Sequence, residues 1–223
     1  MFGPERPRIF SQRPGDQPVR RAFWLSKIVA AETMNAYFAG MGHPWPAVEA
    51  DEILQKVAVT REHRWTSDIL AERAEATLAR ANFPMIDLVR DFLGISVRWT
   101  SLAHLDKSAH CHVYGRANPQ TRSIEICERT RSHGPLARTT LAHELGHVLL
   151  HKRNRKRCLL YTNALPSSRK EREANAFMQA IVLPTSVLEL AILYRCHQRH
   201  LDPRLAFNAA NSASSLSDLN CRI

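Results

Sequence analysis

A chain of 223 residues, 44% of them hydrophobic, is long enough to bury a substantial core as one domain with an extension or as two small domains. Its net charge of +10 is compatible with an anionic partner, and its five cysteines, with no CxxC pair, argue against a disulfide framework and predict reduced thiols in the cytoplasm. The longest apolar run, residues 178–194, is interrupted by Pro184 and Glu189, so we expect no membrane span. The Pro- and Arg-rich N-terminus lacks the apolar segment of a secretory signal.

The N-terminal third predicts a basic arm followed by helices. Residues 1–21 have the composition of a disordered arm. Residues 22–39 predict a helix that ends at Gly40 and offers Phe23, Trp24, Ile28 and Phe38 to a core. A second helix is predicted over residues 47–61. The sequence assigns no function to this helical N-terminal extension.

The middle of the chain predicts two more helices and a small sheet. Ser67 can cap a helix that continues to Ala81, and Pro84 starts a shorter helix that ends at Gly94. Short segments rich in β-branched and aromatic residues then predict strands. These strands are residues 95–99, 111–114 and 123–127.

The most informative stretch of the chain is the sequence HELGH, residues 143–147. Four residues advance a helix by about 400°, so His143 and His147 lie one above the other on one face and can bind the same Zn²⁺. Glu144 then lies beside the metal, where a general base for a bound water is needed. Because HExxH also occurs by chance, the surrounding residues must decide whether the site is real.

The flanks of HELGH predict a helix that is buried on one side. Pro135 suits the first helical position, and an apolar stripe runs through the motif. The stripe consists of Leu136, Thr140, Leu141, Leu145, Val148 and Leu149. Buried His and Glu side chains are costly without partners, and a metal would satisfy them.

A catalytic zinc site needs a third protein ligand. His151 lies about 12 Å along the helix from His143, too far for both to bind one metal through bonds of about 2 Å. We therefore expect His151 to pack against the site or to support one of its ligands.

A second helix, capped by Ser168, offers better third ligands. Glu171 and Asn175 share a face, so that the carboxylate could bind metal while the amide oxygen accepts the outer N–H of a ligand histidine. Spacing alone leaves open whether Glu171 binds metal or only completes a capping box with Ser168, and Glu173 is the alternative carboxylate.

The densest cluster of positive charge, residues 152–157, follows the motif helix directly. Cations suit the C-terminus of a helix and a solvated loop, which is the favoured interpretation, and the alternative is an anionic partner. No aromatic residue is interleaved with the run, so it predicts proximity to nucleic acid and not the reading of its sequence.

Together these motifs resemble the ImmA/IrrE family of bacterial zinc metallo-endopeptidases, a gluzincin-like family. The resemblance is carried by HELGHVLLH, by Glu-x-x-Ala-Asn-x-Phe at residues 171–177 and by Ile-Val-Leu-Pro at residues 181–184. It spans residues 65–190 and includes a lone Gly115 before the strand at Ile124. Met178 departs from the small residue that is usual in the family.

The resemblance implies one Zn²⁺ per chain. It makes His143, His147 and Glu171 the metal ligands, Glu144 the catalytic base and Asn175 the outer partner of a ligand histidine. It also implies that the protein cuts a DNA-binding repressor of the helix-turn-helix type, at a limited site and in response to stress or mobile elements.

In the related gluzincin arrangement, a peptide substrate pairs with an exposed strand at the edge of the sheet beside the motif helix. This implies a substrate-binding edge strand made of Ser123, Ile124, Glu125, Ile126 and Cys127. The residue that stabilises the oxyanion is left open. The candidates are His112, Tyr114, Tyr161, Tyr194 and His197.

We therefore predict an α+β fold in which a small mixed sheet packs on a helical zinc-peptidase core, with a helical N-terminal extension. The predicted divisions are a basic arm at 1–21, the extension at 22–64, a metallopeptidase domain at 65–200 and a polar tail at 201–223. Two other functions stay open: a metal-containing regulator that acts by binding a protein partner, and a DNA-binding protein with a structural zinc. The oligomeric state is not predicted.

Overall fold

The computed structural model describes residues 17–59, 68–106, 112–151, 158–161 and 168–199. The helices are α1 (Gln17–Gly40), α2 (Pro46–Val59), α3 (Asp68–Ala81), α4 (Gly134–Leu150), α5 (Arg169–Val182) and α6 (Thr185–Gln198), with a π-helical segment at Asp87–Phe92. The strands are β1 (Ser96–Thr100), β2 (Val113–Asn118), β3 (Ser123–Cys127) and β4 (Cys158–Tyr161). The predicted Ser67 cap, the basic run at 152–157 and the predicted tail at 201–223 lie outside the described residues.

One four-stranded mixed sheet has the order β1-β3-β2-β4. Strand β1 runs parallel to β3, whereas β2 is antiparallel to both of its neighbours, β3 and β4. Helix α4 packs on the sheet against β2, β3 and β4, and α5 packs against α4. The predicted α+β class, with a small mixed sheet on a helical core, is confirmed.

The prediction that residues 123–127 form an exposed edge strand is wrong. Both sides of β3 are paired, with Ile124 opposite Val97 of β1 and Ala117 of β2. Ile124 and Ile126 are fully buried in the core, which is where alternating isoleucines of a central strand belong. The edges of the described sheet are β1 and β4.

The main core joins the sheet to α4, α5 and α1. Its fully or almost fully buried members include Met34 and Phe38 from α1, Ile124 and Ile126 from β3, Leu145 from α4, and Phe177 and Ile181 from α5. Helix α1, which was predicted as part of an extension, therefore packs into the core of the motif helix. Phe38 lies in this core as predicted, whereas the prediction is wrong for Phe23, Trp24 and Ile28, which are exposed. The boundary between residues 64 and 65 stays a prediction.

A second core forms where α2, α3 and α6 meet. Ile53, Ala74 and Leu190 are buried there. Glu49 of α2 pairs with Arg73 and Arg80 of α3, and these hydrogen bonds outweigh the effect of burial and lower the pKa of the Glu49 carboxyl. Helix α6 was not predicted as a helix, and it ties α2 to the C-terminal part of the chain.

By length and composition alone, Arg169–Gln198 could cross a membrane, and it is the one such stretch in the part of the chain that the structure describes. It consists of two 14-residue helices, α5 and α6, which meet at Leu183 and Pro184. Both helices bury apolar side chains in the two cores, as core helices of a soluble protein do.

Candidate metal centre

Helix α4 carries the HELGH motif into the interior of the protein. It begins at Gly134 with Pro135 in its first turn, as predicted. Leu141, Leu145 and Val148 anchor one face in the main core. His143, Glu144 and His147 are also buried, with 1%, 0% and 0% of their surface exposed. A helix that buries three ionisable side chains needs partners for them.

Helix α5 supplies those partners because it lies very close to α4. A Cβ on Gly146 would lie 3.1 Å from Cα of Ala174 and 3.2 Å from Cδ1 of Phe177, so glycine is the residue that permits this approach. Ser168 caps α5 by accepting a hydrogen bond from the Glu171 backbone N–H at 3.2 Å. The Glu171 side chain is left free to turn towards α4, so capping and site formation do not compete for it.

Three donor residues meet between α4 and α5. The Nε2 atoms of His143 and His147 are 3.1 Å apart. Glu171 places its Oε2 3.1 Å from the first nitrogen and its Oε1 3.3 Å from the second. The residues that the resemblance implied as ligands thus lie together, with ligand atoms within 4.8 Å of one another.

The outer nitrogens of both histidines are also occupied. Nδ1 of His143 lies 2.7 Å from Oδ1 of Asn175, an atom that only accepts, so this ring donates from Nδ1 and presents a lone pair at Nε2. Nδ1 of His147 lies 3.0 Å from Nδ1 of His151. The contact with Asn175 is the one that the family resemblance implied, and His151 was expected to support or pack against the site.

These donors fit a metal ion. Lone pairs on two nitrogens and a carboxylate converge, and a cation satisfies all three at once. Tetrahedral coordination with bonds of about 2.0–2.1 Å places donor atoms about 3.3 Å apart, close to the separations between Nε2 of His143, Nε2 of His147 and the Glu171 oxygens. Two imidazoles and a carboxylate are also a common donor set of catalytic zinc.

The charges at the site agree with this arrangement. Burial lowers the pKa of His147 and so favours the neutral imidazole that binds metals. Burial acts to raise the pKa of Glu171, but the side chains of His143 and His147 overcome that effect and hold it at about 2. At neutral pH Glu171 therefore contributes a negative charge to the centre.

Glu144 lies beside this centre, and neither of its carboxylate oxygens has a hydrogen-bond partner among the described residues. Burial raises its pKa well above the ordinary value, and the negative charge of Glu171 raises it further. The backbone N–H of Ala117 partly opposes the rise without meeting the geometry of a hydrogen bond. Such a carboxylate is suited to take up a proton.

Strand β2 lies in close contact with the Glu144 side chain at Gly115. A Cβ at this position would lie 2.8 Å from Oε1 of Glu144 and 2.7 Å from Cγ2 of Thr140, closer than atoms can pack. The glycine that the resemblance included therefore sets the position of the Glu144 side chain.

Replacing Gly115 with Ala is expected to lower the rate of peptide hydrolysis by about 100-fold, because a displacement of the base of about 1 Å has effects of that size. Overpacking should also destabilise the fold by about 1–3 kcal/mol. Activity, zinc content and thermal unfolding measured together would check this. The matched control is Gly134→Ala, since nothing lies within 4 Å of a Cβ there. Full activity of the Gly115 variant would contradict the assigned position of Glu144.

The other candidate residues lie elsewhere or act indirectly. Nε2 of His151 lies 2.9 Å from Oε2 of Glu173, so the alternative carboxylate serves His151 and not the three donor atoms. His112 bonds to Asp106, and the Tyr194 hydroxyl donates to Glu75. The pairing of His151 with Glu173 was not predicted, although a histidine four residues after a ligand histidine was a signal for it.

Tyr114 belongs to the outer face of β2. Burial alternates along the strand, and Gly115 faces α4. Tyr114 is therefore grouped with the half-buried side chains of β2, away from α4. His197 lies near the exposed end of α6, and the side chain of Tyr161 lies outside what the structure describes. The oxyanion-stabilising residue stays open.

A family model for the M78 peptidases, described as the IrrE N-terminal-like domain, matches residues 91–212. The match covers more than half of the chain and contains the three donor residues, Glu144 and Asn175. It begins after α3, so the first three helices lie outside it. No curated protein and no solved structure matches the chain.

Proposed function

The chain belongs to the peptidase family of IrrE N-terminal-like domains, and on that premise we propose that it is a zinc-dependent endopeptidase. The observation that carries the proposal is the convergence of three metal-binding atoms next to a buried, unpartnered Glu144. His143, His147 and Glu171 would hold one zinc per chain, and Asn175 would fix the ring of His143.

The residues of the chain supply proton transfer and positioning. When bound, zinc would supply a Lewis acid that lowers the pKa of a coordinated water and polarises the carbonyl of the scissile peptide bond. Glu144 takes the proton from the attacking water and delivers it to the leaving amine nitrogen. Its raised pKa suits the first half of this transfer, because a stronger base accepts the proton of the water more readily near neutral pH.

The substrate in this proposal is an extended segment of a protein. Since β3 is interior, the segment must pair with β1 or β4, and we assign it to β4. Leu160 of β4 pairs with Gly115, the residue of β2 that touches Glu144. The outer edge of β4 has no partner strand within the described ranges. A substrate strand added there would lie next to β4, which contacts the motif helix α4.

We propose a DNA-binding repressor of the helix-turn-helix type as the protein substrate. The net charge of +10 supports work close to nucleic acid. We place the activity in the cytoplasm, and the buried free thiols of Cys127 and Cys196 agree with a reducing compartment.

The Glu144→Gln variant loaded with zinc offers the test, because it should hold a substrate without cutting it. Proteins captured on this variant would be purified and incubated with the zinc-loaded wild type, and their fragments mapped by mass spectrometry. We expect a DNA-binding protein to be cut at one site by the wild type and not by the variant. A captured partner that stays intact would replace the peptidase proposal with one of partner binding.

A further inference from the structure

A series of hydrogen-bonded side chains leads from the metal centre to the surface, and it begins at the C-terminal end of the motif helix. His151 caps α4, and its backbone N–H donates to the carbonyl oxygen of His147 at 3.1 Å. Nδ1 atoms of the same two residues lie 3.0 Å apart. Beyond His151, Nε2 lies 2.9 Å from Oε2 of Glu173, whose Oε1 accepts from Nε of Arg169 at 2.7 Å. A line of four side chains therefore leads from His147 to the surface.

The protons on this line have one consistent arrangement when His147 binds a metal through Nε2. That nitrogen then carries a lone pair, so the neutral ring holds its proton on Nδ1 and donates it towards His151. Nδ1 of His151 must accept, so the proton of this ring lies on Nε2 and points at Glu173. The Glu173 carboxylate accepts it and also accepts from Arg169, so every contact on the line pairs a donor with an acceptor.

Burial and charge support that arrangement. The side chain of His151 is 5% exposed and that of Glu173 is 15% exposed, whereas Arg169 reaches solvent. Both carboxylate oxygens of Glu173 have partners: Oε2 lies 2.9 Å from Nε2 of His151, and Oε1 accepts from the cationic Arg169 at 2.7 Å. The carboxylate is thus an anionic acceptor in a partly dry setting, where a charged acceptor orients its donor strongly.

The two ligand histidines are therefore held differently. His143 donates to the neutral amide oxygen of Asn175 on α5. His147 donates to a histidine on its own helix, which is anchored in turn by Glu173 of α5. Both lines cross from α4 to α5, and Glu171 contacts the Nε2 atoms of both ligand histidines.

We propose that His151 is a positioning residue for the metal centre: backed by Glu173, it fixes the tautomer and ring orientation of His147 and so raises the affinity for zinc. This role rests on the proposed zinc peptidase function. It also explains why a histidine stands at a position too far along the helix to be a ligand. Outer partners of ligand histidines typically change metal affinity by 10- to 100-fold.

Variants of His151 distinguish this role from simple packing. Leu fills the buried space but offers His147 no acceptor. Gln offers an acceptor oxygen to His147 and an N–H group to Glu173, so it can replace both contacts. If His151 serves only to fill space, Leu and Gln should behave alike. If it positions His147, Gln should restore what Leu removes.

Zinc affinity measured by competition with a chelator gives the test, with no dependence on peptidase activity. We expect His151→Leu to weaken zinc binding by about 10- to 100-fold and His151→Gln to recover most of the loss. Glu173→Ala should weaken it by about 10-fold. The matched control is Lys170→Ala, an exposed position on the same helix, which should leave affinity unchanged. Cobalt loading adds a spectroscopic readout, and its visible absorption bands should shift in the Leu variant and return in the Gln variant.

Three outcomes separate the proposals. Folded His151→Leu with the affinity and cobalt spectrum of the wild type would overturn the positioning role and leave the peptidase proposal intact. Equal losses in the Leu and Gln variants would assign His151 to packing. A folded wild type that binds no zinc would overturn the metal centre itself.

Discussion

Replacing Glu144 with Gln is expected to lower peptide hydrolysis by about 100- to 10,000-fold while one zinc per chain is retained. Gln has the shape of Glu and fits the same space beside Gly115, but it cannot take the proton of the attacking water. The check is to measure hydrolysis and zinc content on the same samples. Retained activity in the variant would mean that another group is the base.

The same substitution should stabilise the zinc-free protein at neutral pH. The pKa of Glu144 is higher in the folded protein than its unfolded value of about 4.5. Burial of this carboxyl group therefore lowers the free energy of unfolding at pH values above about 4.5 and has little effect at lower pH. We expect Glu144→Gln to raise the free energy of unfolding by roughly 1–2 kcal/mol at pH 7.5. This gain in stability should become smaller towards pH 4. Thermal unfolding of the wild type and the variant at both pH values, with a chelator to remove metal, would measure it.

A control variant shows whether any Glu→Gln substitution stabilises the protein, or only one at a buried position. Glu189→Gln changes an exposed carboxylate on α6 and should leave stability almost unchanged at both pH values. An equal gain at pH 7.5 and pH 4 in the Glu144 variant would show that the charge of the buried carboxylate is not its cause.

Replacing Glu171 with Ala is expected to weaken zinc binding by more than about 100-fold, beyond the usual effect of an outer hydrogen-bond partner. It removes one of the three donor atoms and the negative charge of the centre. Zinc added to the wild type should raise the unfolding temperature, and this shift should be lost in the variant. Elemental analysis and thermal unfolding, each with and without zinc, would check both effects.

Glu173→Ala is the matched comparison, because it removes a carboxylate two residues away on the same helix. At saturating zinc it should still hold one ion per chain, with only its affinity reduced. If Glu173→Ala lost stoichiometric zinc and Glu171→Ala kept it, the roles of the two carboxylates would have to be exchanged.

Local features of the sequence predicted the helices of the site well. Pro135 and the apolar stripe defined α4, and Ser168 defined the start of α5. Spacing could not choose between Glu171 and Glu173, because two residues on one turn differ only in the direction in which they point. That direction is set by the contact of α5 with Gly146, which is a property of two helices together.

The arrangement of the sheet was beyond local signals. The bounds of β3 were predicted correctly, but its interior position depends on parallel pairing with β1, which is distant in sequence, as well as on its antiparallel neighbour β2. Strand β4 has only four residues and follows a basic run, so its own sequence gives a weak strand signal. The edges of a sheet are decided by which strands pair, and the zinc motif carries no information about that pairing.

Gly146 has a consequence for which metal ions the centre would accept. Two of the donor residues are on α4 and the third is on α5. The distance between these helices therefore limits the size of the ion that all three donors can contact. Calcium, with bonds of about 2.3–2.6 Å to oxygen, would need the donors to move apart. Moving the donors apart would separate Ala174 and Phe177 from Gly146, and the van der Waals contacts between the two helices would be lost. Selectivity for a small ion would then come from the fit between two helices as well as from the chemistry of the ligands.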